Sequence, residues 1–171
     1  PPLESARFYG QLAAVRAAFR AGNLDKAFQD VRPLTRAAGN QGRDAKLLQG
    51  EILLAQDRAV VAESLYRDLL VERPAMTEAR AGLVRALMAQ GRYQDADAEF
   101  AKLPAAAQQQ LSYLRQQRVD SLRQQGEDLI AAGRPGAGEQ SLREAMAVAP
   151  NDPWTRLSLA RFYDDQGQPR R

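Results

Sequence analysis

The sequence predicts an all-α, right-handed superhelical solenoid of stacked helical hairpins, and three observations carry that expectation. Gly133 and Gly167 lie 34 residues apart, and each closes an apolar-periodic segment. Leu122, Leu129 and Ile130 precede the first; Leu157, Leu159, Phe162 and Tyr163 precede the second. Between them a second periodic segment, with Leu142, Ala145, Met146 and Val148, stops at Pro150. No stretch alternates apolar and polar residues as a half-buried strand would. One helical hairpin cannot bury both of its apolar faces, so it has to stack on a copy of itself.

Taken in order, residues 3–21 read as a helix with Leu12, Val15 and Phe19 on one stripe. Gly22-Asn23 is the turn, and 25–38 is the returning helix with Ala27, Val31 and Leu34 inside. Pro33 falls within it, which implies a kink or a restart. Gly39-Asn40-Gln41-Gly42 reads as a loop. The next hairpin has Leu47, Leu48, Ile52 and Leu53 on its first helix, turns at Asp57, returns with Ala62, Leu65, Tyr66, Leu69 and Leu70, and stops at Pro74. A third has Leu83, Leu87 and Gly91, then Tyr93, Ala96 and Phe100.

Helix, glycine turn, helix, proline stop with a period of 34 resembles the tetratricopeptide repeat. In that frame Gly50 and Ala62 take the small positions of close helix contact, and Tyr66 takes the large one. The array then divides into units of about 8–42, 43–76 and 77–103, an insertion at 104–118, a unit at 119–152 and a terminal half unit at 153–171. The insertion follows from the spacing of Gly91 to Gly133, which exceeds one repeat by eight residues. Rich in Gln and Arg and free of breakers, it predicts a helix from about Ala105 that reaches the fourth unit near Ala132. Whether the insertion acts as a hinge or sets a fixed bend stays open. Pro153 suits the first turn of a last helix capped by Asn151 or Asp152. That helix carries Leu157, Leu159, Phe162 and Tyr163, more apolar surface than one neighbour covers.

Composition narrows the function classes. There is no cysteine and no histidine, so thiol chemistry, the commonest general base and the commonest metal ligand are all missing. No nucleophile–base pair, metal-ligand cluster or phosphate loop emerges, and the expectation is a non-enzyme without cofactor or metal. The adjacent carboxylates Glu127-Asp128 and Asp164-Asp165 point about 100° apart on a helix and do not converge. The net charge is +3, but basic residues alternate with Asp and Glu along the whole length. A nucleic-acid binder would concentrate one sign in a stripe, so that class is set aside. No apolar run approaches the length of a membrane span. Pro1-Pro2 reads as a processing boundary, with no signal peptide ahead of it.

The repeat resemblance implies a concave groove lined by the first helix of each unit. On the matching positions that groove carries Tyr9, Leu12, Arg16 and Phe19, then Asp44, Leu47, Glu51 and Leu54. Glu78, Arg85 and Met88 follow, then Asp120, Arg123 and Glu127, then Trp154, Arg161 and Asp164. The Lys/Asn pair of the two-carboxylate clamp in chaperone-binding repeats is absent. Trp154, the lone tryptophan, is expected to pack near Met146, with stacking on a sugar ring as its other use.

The order of irregularities resembles one family more closely. Ala62-Glu63-Ser64-Leu65-Tyr66 is followed by a good repeat, an early stop, a Gln/Arg-rich insertion, and Ala149-Pro150-Asn151-Asp152-Pro153-Trp154-Thr155-Arg156. This is similar to the periplasmic repeat region of the cellulose synthase operon protein C family, the outer-membrane export subunits of bacterial cellulose secretion. The resemblance implies a periplasmic, non-catalytic scaffold ahead of an outer-membrane barrel. It implies other subunits of the cellulose synthase and secretion complex as partners, and a glucan or peptidoglycan strand as a transient one. A generic peptide-binding adaptor and the repeat arm of another exopolysaccharide exporter are the alternatives.

Overall fold

A computed structural model describes residues 2–167, and every described element is helical. The helices are α1 (Pro2–Arg20), α2 (Leu24–Leu34), α3 (Gly39–Ala55), α4 (Ala59–Glu72), α5 (Thr77–Ala89), α6 (Tyr93–Phe100), α7 (Ala105–Ala131), α8 (Pro135–Val148) and α9 (Pro153–Asp165). The chain divides into two compact units, Pro1–Gln108 and Gln109–Arg171. Residues 168–171 of the expected terminal half unit lie outside the described residues.

One local device recurs at every hairpin. Gly22, Asp57, Gly91 and Gly133 all take positive φ, between 58° and 78°. The following residue then donates its N–H to the carbonyl five residues back: Asn23 to Ala18, Arg58 to Leu53, Arg92 to Leu87 and Arg134 to Leu129, at 2.9–3.0 Å. This is the Schellman stop, which satisfies carbonyls that the helix end would leave bare. The carbonyl of that same residue accepts the first bond of the returning helix, from Ala27, Ala62, Ala96 and Gly138. Stop and start therefore share one residue, and the hairpin is tight. Asp57 fills the glycine role at φ 58°, a conformation that Asp tolerates better than most residues.

In the first unit each helix packs on the next, and α3 also touches both α1 and α5. Phe8, Leu12, Val15, Ala27, Val31, Ala45, Leu48 and Ile52 form one continuous core cluster. At the other end of the unit Leu83, Val84, Ala86 and Leu87 of α5 are buried. Tyr66 of α4 is buried as well, with a ring that fills the space a side chain would need at two glycines. A Cβ on Gly50 of α3 would fall 2.4 Å from Tyr66 Cζ, and one on Gly82 of α5 would fall 2.3 Å from the same ring. Two helices thus both close on one aromatic ring, which is possible only without side chains there.

Three expectations change. Pro33 neither kinks nor restarts a helix: α2 ends at Leu34, one residue beyond it, and Thr35 Oγ1 donates to the Arg32 carbonyl at 2.8 Å. The stretch Gly39-Asn40-Gln41-Gly42 is not a loop but the first turn of α3. Gly42 explains how, since a Cβ there would sit 1.9 Å from the Ala37 carbonyl oxygen. The bare backbone lets the preceding segment fold straight onto the helix start. The apolar face of α9 is less open than its composition implies. Phe162 is buried, Leu159 and Tyr163 are half-buried, and only Leu157 is exposed.

α6 has 8 residues against 14 in α4. Pro104 lacks the N–H that would continue a helix, and its carbonyl instead accepts the Gln108 N–H at 3.0 Å, opening α7. The Gln108 side chain donates to the carbonyls of Phe100 and Leu103 at 3.2 and 3.0 Å, satisfying the end of α6. α7 then runs 27 residues without a break.

In the second unit α7 and α8 meet through bare backbone. A Cβ on Gly138 would fall 2.6 Å from the Gly126 carbonyl oxygen, and one on Gly126 would fall 2.8 Å from Leu142 Cγ. Asp152 caps α9, accepting the Thr155 N–H at 2.7 Å. That bond, with help from Gln116 and Arg123 of α7 and against the opposing effect of burial, holds its carboxyl below the usual range. Tyr163 donates to Glu139 at 2.7 Å and accepts from Arg143 at 3.0 Å, fastening α9 to α8.

Candidate binding groove

The first helices of the hairpins present the residues that the repeat resemblance assigns to a groove, and the two units use them differently. In the first unit a cleft of about 770 Å³ opens against α1, α3, the α4–α5 segment and the start of α5. Arg16, Asp44, Leu47 and Glu78, four of the expected groove residues, line it together. Arg43, Arg73, Pro74 and Met76 line it as well. Sequence reasoning missed these because it counted only first-helix positions, and the segment joining a return helix to the next hairpin carries no periodic signal.

Electrostatics divide the cleft into engaged and free charges. Tyr9 donates to Asp44 at 3.1 Å, which raises the tyrosine's own pKa. Lys46 reaches Glu72 at 3.1 Å. Arg43 donates to the neutral side chain of Asn40. The side chains of Arg16, Arg73 and Glu78 make no hydrogen bond or ion pair among the described residues.

Leu12 and Phe19 are not groove residues. Leu12 is 1% exposed inside the core and Phe19 packs against that core, because α1 turns this stripe toward α2 and α3. Glu51 is exposed, while Arg85 and Met88 are half-buried. The Glu51 carboxylate and the Arg85 guanidinium both act on the Tyr66 hydroxyl. Leu54 is half-buried.

In the second unit the expected groove residues mostly hold one another. Arg123 pairs with Glu127 at 3.1 Å and lies 3.9 Å from Asp120. Glu127 also accepts the Ser158 hydroxyl at 2.6 Å, tying α7 to α9. Trp154, Arg161 and Asp164 are exposed on α9. Trp154 does not pack against Met146: it is 63% exposed, because it follows the Asp152-Pro153 cap on the outer side of the first turn. As the lone tryptophan it is expected to emit at the long-wavelength limit of a hydrated indole and to be fully quenched by acrylamide. Trp154→Ala should change unfolding free energy by less than about 0.5 kcal/mol. A blue-shifted, protected emission would contradict this placement.

Among the described residues no group of three His, Cys, Asp or Glu side chains is arranged to hold a metal ion. No described helix is long and apolar enough to cross a membrane.

Comparison with known proteins agrees with this geometry. The tetratricopeptide repeat family model matches residues 53–118. Cellulose synthase operon protein C of Xanthomonas axonopodis pv. citri is 34% identical over 167 residues, covering 98% of this chain and 11% of the relative. The protein of the same name from Pseudomonas fluorescens is 32% identical, covering 97% of this chain and 13% of the relative. Cellulose synthase 1 operon protein C of Komagataeibacter xylinus is 31% identical, covering 98% and 12%. The chain thus spans roughly an eighth of the length of these relatives. A solved mutant of MamA superposes with a TM-score of 0.52 at 17% identity, over 96% of this chain and 91% of that one, a likeness of fold.

Proposed function

Because this chain is a tetratricopeptide-repeat segment homologous over nearly its whole length to part of cellulose synthase operon protein C, we propose that it serves as a periplasmic scaffold in bacterial cellulose secretion. It holds subunits of the synthesis and export complex by protein–protein contacts and helps guide the glucan toward an outer-membrane barrel. The observation that carries this reading is the similarity at 30–34% identity across 91–98% of the chain. The repeat supports a scaffold physically. Its hairpins stack into an extended surface rather than enclosing a reaction site. The array's exposed charges are dispersed, and the cleft against α1, α3 and the start of α5 offers a surface for docking.

In-frame deletion of this segment from the gene that encodes it tests the reading. Extracellular cellulose, measured by dye binding and by weight, is expected to fall at least about tenfold while the glucan synthase retains activity in isolated membranes. A tagged protein is expected to be released with the periplasmic fraction or held at the outer membrane, and to co-purify with other products of the cellulose operon. Normal cellulose secretion after the deletion, or recovery of the protein in the cytosol, would overturn it.

A further inference from the structure

We propose that Trp154 and Tyr113 form a stacking site for the pyranose rings of a neutral glucan chain on the α7–α9 face of the second unit. This deepens the reading of the chain as a scaffold that guides a glucan, and it rests on that reading.

An indole left in water forgoes one of the largest apolar contact areas a side chain can make. Trp154 is 63% exposed and Tyr113 of α7 is 51% exposed, and both belong to the second unit. α7 and α9 are joined where Ser158 donates to Glu127 and where Gln116 acts on the Asp152 carboxylate. Tyr113 lies one turn before Gln116, and Trp154 lies two residues after Asp152. Both rings therefore belong to the same contact between the two helices.

A further hairpin stacked on α9 would not cover the indole. Tyr9 and Asp120 hold, in their own hairpins, the place that Trp154 holds in the last one. Tyr9 stays 45% exposed with α3 packed on its helix, and Asp120 stays exposed with α9 tied to α7. That place opens toward the groove, so Trp154 stays within reach of a ligand.

The surroundings suit a neutral sugar better than a charged or a purely apolar partner. Asp120 and Glu127 follow Tyr113 at intervals of seven along α7, and Arg161 follows Trp154 by seven on α9, so each shares a helical stripe with its ring. Counted whole, Asp120, Arg123, Glu127 and Arg161 sum to zero. Arg123 holds Glu127 at 3.1 Å and lies 3.9 Å from Asp120, which orients both carboxylates. An apolar partner would strip water from these groups without replacing it. Sugar hydroxyls both donate and accept, so they meet carboxylates and guanidinium groups alike. The C–H face of a pyranose ring, in turn, lies flat on an aromatic ring while its hydroxyls reach outward to the polar groups beside it.

The test uses the whole chain, whose single tryptophan makes its own fluorescence a reporter of the site. Cellohexaose is expected to shift the emission to shorter wavelength and to shield the indole from acrylamide. The affinity is expected to be indifferent to salt, because the sugar carries no charge to screen. With a fluorescently labelled cellohexaose, Trp154→Ala is expected to weaken binding about tenfold and Tyr113→Ala about threefold, helicity by circular dichroism being unchanged. Trp154→Phe is expected to keep most of the affinity, and Arg16→Glu in the first unit all of it. Should a variant not fold, the emission of the unaltered chain decides alone. No change in that emission up to the solubility limit of cellohexaose overturns the proposal, as does binding indifferent to both aromatic substitutions. Tighter binding of a Glu/Leu or Lys/Leu peptide to this face overturns it too. So does a sugar-independent blue shift that grows with protein concentration, which would make the face a contact between copies. Co-purification separates the two levels. If the chain does not bind cellohexaose yet the protein co-purifies with products of the cellulose operon, the stacking site is wrong and the scaffold stands. If the unaltered protein co-purifies with none of them, the scaffold reading itself falls.

Discussion

Gly82→Ala is expected to lower the unfolding free energy by about 1–2 kcal/mol, although alanine is the better helix former. Helix propensity alone favours alanine by about 1 kcal/mol inside a helix. Overpacking opposes it, typically by about 1–3 kcal/mol. The geometry decides for overpacking. The new methyl would lie 2.3 Å from the Tyr66 ring, and that ring is already pressed by Gly50, where a Cβ would lie 2.4 Å from Cζ. Gly50→Ala is expected to cost a similar amount, and the double variant more than the sum, since each substitution closes the other's escape. Tyr66→Leu in the Gly82→Ala background should recover part of the loss. Tyr66→Ala in the native background should cost about 3–5 kcal/mol by emptying the space between α3 and α5. Tyr66→Phe should be neutral or slightly stabilising, because the buried hydroxyl finds no hydrogen-bond partner within the protein. Urea unfolding followed by circular dichroism measures all six variants. A stabilised Gly82→Ala would mean that propensity wins and the ring is free to move.

Glu63→Ala is expected to cost about 2 kcal/mol and to flatten the acid limb of the stability profile. Glu63 lies on α4, 8% exposed. It accepts from Gln90 at 2.8 Å, from Arg92 at 2.8 Å and from Arg67 at 2.9 Å. These donors bring the turn between α5 and α6 onto the middle of the preceding hairpin, so the carboxylate joins two repeats. Burial alone would raise its pKa, but the hydrogen bonds from Gln90, Arg67 and Arg92 together hold it below the usual glutamate value. The sign follows. A carboxyl with a lower pKa folded than unfolded adds stability that is complete above the unfolded value, about 4.3, and lost as pH falls through the folded one. Glu99, which faces Arg80 and Lys102, shifts in the same direction and keeps part of the acid sensitivity in the variant. Unfolding free energy measured between about pH 6 and pH 3 should therefore fall more steeply in the native protein than in Glu63→Ala. Parallel curves would show that Glu63 is not charged in the folded state.

The sequence by itself determined the all-helical hairpin grammar and the relation to cellulose synthase operon protein C. Both are written locally: left-handed turn residues at Gly22, Asp57, Gly91 and Gly133, stops at Pro74 and Pro150, and the run from Ala149 to Arg156. A turn residue needs only its own dihedral angles and its near neighbours, so periodicity reads it correctly. The same holds for α7, where the lack of a breaker from Ala105 to Arg118 was visible along the chain. What periodicity misread were Pro33 and Gly39–Gly42. There the outcome depended on how closely the Ala37 backbone approaches α3, a distance no single-helix pattern contains. The groove was legible only in part. A repeat position says which way a side chain points, and that placed Arg16, Asp44, Leu47 and Glu78 on one cleft. It does not say what the neighbouring helix covers, so Leu12 went into the core and Phe19 against it. Tertiary structure alone decided which charged side chains are engaged. Asp44 and Glu72 are held by Tyr9 and Lys46, from residues 35 and 26 positions away, whereas Arg16 and Arg73 are held by nothing described. Charge composition is additive along a sequence, but free charge is what remains after pairing in space, and only the packed helices set the pairs.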